Sequence, residues 1–92
     1  MEDEYREIVS KFYEIYRPLQ KKYNLRLHVH FDIYDDGLIE IWEYQGEIKG
    51  RCILHVKETE EIDCYKKSIQ ELEYYKRKRE ETEHGAGAVL AV

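Results

Sequence analysis

Proline is nearly missing from this sequence, with Pro18 the single copy, and glycine is scarce, with five in 92 residues. Such a composition describes a single compact domain, since a chain this short has room for one core. Cysteine is limited to Cys52 and Cys64, which rules out a disulfide framework and a four-cysteine zinc site. Both read as reduced thiols in a cytoplasmic setting. No apolar run approaches the roughly 18 residues of a membrane span, and the opening "MEDEYREIV" is acidic where a leader would be basic and then apolar. The expectation is a soluble cytoplasmic protein, in the host cytoplasm if the gene is viral. A basic excess is lacking as well: 15 Lys and Arg against 20 Asp and Glu leave a net charge of −5. That balance argues against a general nucleic-acid binder and toward a protein partner. Asparagine occurs once and glutamine three times beside abundant Glu, Lys, Tyr and Ile, a bias that resembles thermophile composition.

What is present is pattern. From Glu2 to Tyr23 the residues Tyr5, Ile8, Val9, Phe12, Ile15, Tyr16 and Leu19 recur at three- and four-residue steps, which predicts an amphipathic helix. Glu2, Asp3 and Glu4 suit its positive end. Pro18 predicts a kink or break near Arg17, and Asn24 is suited to the left-handed conformation that ends a helix. Residues 25 to 34 switch to period two, and further strand-like runs, 38 to 45 and 48 to 57, follow the turn formers "DDG" and "QGEI". Thr59 is placed to cap a last helix from Glu60, with Ile62, Tyr65, Ile69 and Leu72 as its apolar stripe and Lys76 to Arg79 against its negative end. The predicted fold is therefore α+β: helix, three-stranded antiparallel meander, helix, with both helices on one face of the sheet. One domain spans 1–84. The apolar stretch "GAGAVLAV", 85–92, reads as a tail, either a loose end or an added edge strand or inter-subunit contact made by Val89, Leu90 and Val92.

Register follows from requiring opposed residues to share a face. A three-residue loop of Asp35, Asp36 and a left-handed Gly37 sets Ile33 against Ile39 and Phe31 against Ile41. A two-residue turn at Gly46 and Glu47 sets Ile41 against Cys52 and Ile39 against Leu54. The face away from the helices then reads, row by row, His28, Tyr44, Lys49; His30, Trp42, Arg51; Asp32, Glu40, Ile53; Tyr34, Leu38, His55. A merely solvated face has no use for so many large apolar groups.

Three uses compete for that face. In the first, His28, His30, Tyr34, Trp42, Tyr44, Arg51 and Ile53 form an association surface, giving a homodimer or docking another protein. In the second, its aromatics stack on single-stranded nucleic acid, although Asp32 facing Glu40 would repel a phosphate backbone. In the third, His28 and His30, about 7 Å apart along the strand, share a divalent ion with Asp32 or Glu40.

The "HVH" at 28 to 30 resembles the histidine-hydrophobe-histidine motif of the HUH endonucleases. That resemblance implies a metal-dependent nuclease with a helical tyrosine nucleophile, for which Tyr65, Tyr74 or Tyr75 would serve by type. The larger sheet of that family is absent from this chain, and helices on the apolar side would hold these tyrosines away from the histidines. The helix-strand-strand-strand-helix order is also that of double-stranded RNA-binding domains, whose glycine-serine-lysine entry to the last helix is here "KETEEIDCYKKS". The run "KRKR", 76 to 79, meets Glu80, Glu81 and Glu83 at once and reads as a solvated helix face.

No enzymatic constellation, cofactor or catalytic residue is assigned. The sequence reading is a small acidic interaction protein, a homodimer that regulates or inhibits a larger macromolecular machine, of the kind viral or mobile-element genomes encode.

Overall fold

The spacing of Phe12, Tyr16 and Leu19 turns these three side chains to one face of a helix, α1 (Glu2–Tyr23), where all are buried. In the computed structural model, which describes the backbone of residues 2–91 and the side chains of residues 3–83, α1 is followed by β1 (Leu25–His30), β2 (Gly37–Gln45), β3 (Ile48–Glu58) and α2 (Glu61–Ala91). The strands form one antiparallel sheet in the order β1-β2-β3. Among the described residues no helix is long and apolar enough to cross a membrane.

Pro18 does not break α1. It lies with Arg17 on an exposed stretch, while buried Tyr16 and Leu19 on either side hold the helix to the core. Asn24 ends the helix in the left-handed conformation at φ 53°. Its Nδ2 then donates to the carbonyls of Tyr44 (3.0 Å) and Gly46 (3.3 Å), fixing the entry of β1 against the far end of β2.

Ile39 and Ile41 of β2 and Leu54 and Val56 of β3 join Phe12, Tyr16 and Leu19 in a single core. From α2 come Cys64, Tyr65, Ile69, Leu72 and Tyr75. Phe12 lies at its centre, stacked on Tyr16 (5.8 Å) and edge-on to Tyr65 (5.4 Å). Both cysteines are free, and burial pushes the Cys64 thiol up.

The second helix is longer than the sequence suggests. Glu60 rather than Thr59 accepts its first backbone bond, from Cys64 N at 3.1 Å. Lys76 to Arg79 fall in the middle of α2, and the helix carries on through residues 85–91, so among the described residues no edge strand forms there. The contact ascribed to Val89, Leu90 and Val92 concerns side chains outside the described residues.

Tyrosines weld the helices to each other and to the sheet. Burial, with help from the Glu61 carboxylate, pushes Tyr5 up to about 12, and burial pushes Tyr16 to about 12. Burial raises Tyr65 and Tyr75 further still. A phenol whose pKa rises on folding stabilises the fold fully below its ordinary value near 10, and that stabilisation disappears as pH climbs through the raised value. Stability should therefore fall steeply between about pH 10 and 12, where the unfolded phenols ionise first. Absorbance of phenolate followed with circular dichroism should show some of the nine tyrosines titrating only as the helix signal collapses. Smooth ionisation of all nine before any loss of structure would contradict this.

Candidate interaction face

The first hairpin is slipped relative to the sequence reading. β1 stops at His30, and residues 31–36 form a longer loop, so Val29 lies opposite Ile39 and Leu27 opposite Ile41. Gly37 is not left-handed; among glycines the positive φ belongs to Gly46 (61°) in the second turn. Gly37 is instead a buried strand residue where an added Cβ would lie 2.6 Å from Phe31 Cδ1. Phe31 turns inward at the end of β1 and packs on Tyr65 with ring centroids 5.7 Å apart.

The second hairpin has the expected turn, with Gln45 opposite Ile48 and Tyr44 opposite Lys49. Two irregularities in β3 then shift the ladder, giving Trp42 opposite Cys52 and Ile41 opposite Leu54. Gly50 allows the first, because a Cβ there would lie 2.7 Å from the carbonyl oxygen of Glu43.

These corrections redraw the open face. Its rows are Tyr44 and Lys49; Arg26, Trp42 and Cys52; His28, Glu40 and His55; His30, Leu38 and Lys57. His28 and His30 are exposed and Leu38, Glu40, Trp42 and Tyr44 are half-buried, while none of them belongs to the buried core. Cations cross the rows diagonally: Lys49 Nζ sits 3.9 Å above the Trp42 ring and the Arg26 guanidinium 4.3 Å above Tyr44. His55 Nδ1 and Glu40 Oε2 are 3.1 Å apart. A shallow depression is lined by Arg26, His28, Glu40, Trp42, Tyr44 and Lys49.

Four residues assigned to this face lie elsewhere. Arg51 reaches to the helix side, its Nε 3.2 Å from Glu43 Oε1. Ile53 packs on the core, and both residues approach Tyr74 and Lys78 of α2. Between the two irregularities the alternation of β3 is out of phase, which is why these residues change sides. Tyr34 stands in the β1–β2 loop beside Ile33, each 88% exposed. Asp32 belongs to the same loop, where its Oδ1 accepts a bond from Tyr34 N at 2.9 Å, so the expected set of His28, His30, Asp32 and Glu40 is not assembled. Among the described residues no three His, Cys, Asp or Glu side chains converge as metal ligands.

The tyrosines needed for HUH-like chemistry are on the wrong side. Tyr65 and Tyr75 are core residues, and Tyr75 donates a 2.6 Å hydrogen bond to Glu43. Around Glu43 a polar cluster ties α2 to the sheet: Arg51 and Arg79 approach the carboxylate, and Arg79 also lies 4.2 Å over Tyr23. Sequence reasoning missed this cluster, although Glu43 shares the parity of Ile39 and Ile41, and an acid at core parity announces a partner across the interface. Arg79 therefore serves packing and not a free basic patch.

Compared with known families, curated proteins and solved structures, the chain shows no match, so its reading rests on these residues.

Proposed function

We propose that this chain is a non-enzymatic binding protein that acts through the open face of its sheet, as a regulator or inhibitor of a larger assembly. Support comes from Leu38, Trp42 and Tyr44, which line up along β2 on a face that contributes nothing to the core. Aromatic rings with arginine beside them are the groups that contact surfaces enrich.

The charges on this face weigh against the homodimer expected from sequence. In a two-fold face-to-face pair this face meets itself, and its cations Arg26, Lys49 and Lys57 find only the Glu40 carboxylate, already beside His55, to oppose them, so the pair gathers an excess of like charge, whose juxtaposition costs on the order of several kcal/mol. A partner of different chemistry suits the face better. Light scattering together with Trp42 emission, followed through serial dilution, should therefore report a monomer whose emission does not move. A dimer mass, with a blue-shifted emission that turns red on dilution, would put a second copy on the face and overturn this assignment.

A further inference from the structure

Resting on that reading, we propose that the partner is a single-stranded nucleic acid, with bases stacked on Trp42 and Tyr44 and phosphates held by Arg26, Lys49 and Lys57. The objection raised by the sequence was a pair of opposed carboxylates in the middle of the face. That pair does not exist, since Asp32 has left the strand and Glu40 stands between His28 and His55. Along the paired strand positions of this face, Arg26, Lys49 and Lys57 outnumber the lone carboxylate of Glu40, on a chain whose net charge is −5. The rest of the surface must then carry the acid. On balance the rest of the chain is acidic and disfavours a polyanion, which leaves this side as the favoured one.

Ring placement selects single strands over duplex and over an acidic peptide. Trp42 and Tyr44 are two residues apart on one strand, so their rings recur about 7 Å apart along it, a spacing suited to neighbouring nucleotides in an extended strand. Only unstacked bases offer their faces to such rings. Arg26 and Lys49 already occupy the rings, 4.3 Å and 3.9 Å from the centroids. Stacking a base on a ring contributes more to affinity than an exposed cation–π contact does, so a base wins the ring. The displaced cation then lies beside the phosphate of that same nucleotide.

The test uses the full chain and a labelled oligothymidylate of about 12 nucleotides, read by fluorescence anisotropy and by quenching of Trp42. Binding with quenching is expected, with a slope of log affinity on log salt of about −2 for three phosphate contacts. Trp42→Ala and Tyr44→Ala should each weaken binding about 5- to 150-fold, the range set by one stacked base. Arg26→Glu with Lys49→Glu, a surface pair, should abolish it while leaving the circular dichroism unchanged. Competition by polyglutamate at equal charge, with no effect of Trp42→Ala, would overturn the nucleic acid but keep the face as the contact surface. Oligothymidylate binding that survives every one of these variants would overturn both. Absence of binding in low salt would overturn the nucleic-acid assignment alone.

Discussion

Phe12→Ala is expected to remove about 3–5 kcal/mol of stability, enough to bring a weakly stable fold close to its unfolding midpoint at room temperature. Phe12 is fully buried, and its ring meets Tyr13 at 5.2 Å, Tyr16 at 5.8 Å and Tyr65 at 5.4 Å, so its removal empties the point where α1 meets α2. Truncating a buried phenylalanine typically costs about 3–5 kcal/mol, because the neighbours collapse only in part. A domain of this length has a total stability of roughly 5–14 kcal/mol, so most of the reserve of a weak fold is consumed. Phe12→Leu keeps more of the volume and should cost far less. Urea unfolding of the three proteins gives the ranking directly. Equal losses for alanine and leucine would show that Phe12 does not fill the space assigned to it.

Gly37→Ala should be the most damaging of the small substitutions. A methyl group at this position would sit 2.6 Å and 2.7 Å from the Phe31 ring and 3.0 Å from Cys64 Sγ. Phe31 would have to give up its seat on Tyr65, and Cys64, in the first turn of α2, is fully buried. Overpacking of this kind costs about 1–3 kcal/mol. The double variant Gly37→Ala with Phe31→Ala should be less than additive, since removing the ring removes the clash. Gly37→Asn separates this account from the turn read in the sequence. Asparagine tolerates a left-handed turn and would be mild there, whereas in a packed strand it is worse than alanine. A neutral Gly37→Ala, measured by the same unfolding curves, would sink the close-packing account.

The history of Gly37 shows what a sequence of this kind reveals and withholds. Helices, strands and the termination at Asn24 were legible because each rests on local periodicity or local backbone chemistry. The turn at Gly46 and Glu47 was legible for the same reason. Register was not. Matching faces rejects any slip by one residue but is blind to a slip by an even number, here four, which puts every side chain back on its own side. Val29 and not Ile33 is the neighbour of Ile39 because β1 ends at His30, leaving Ile33 exposed in the loop while Phe31 packs on Tyr65, and no alternation encodes where a strand gives way to a loop. Arg51 and Ile53 were lost in a related way. Two irregularities keep parity right at both ends of β3 and wrong between them, and Gly50, the residue that permits the first, carries no signal of its own. On the candidate face, His28, His30, Trp42 and Tyr44 fall where alternation puts them because they stand on β1 and β2, and the extra residues that shift the ladder are in β3.

The same irregularities matter to the outer margin of the sheet. A three-stranded ribbon leaves a row of unpaired N–H and C=O groups along β1 and along β3, and such rows are templates on which foreign chains add. β1 is six residues long and offers little. β3, at eleven residues, would be the hazardous margin if it were straight. Bent twice near Gly50 and Ile53, it presents two short segments in place of one long one, with Lys49 and Lys57 standing in them as charged gatekeepers. The distortion that reassigns Arg51 thus also withholds a ready template from fibril growth.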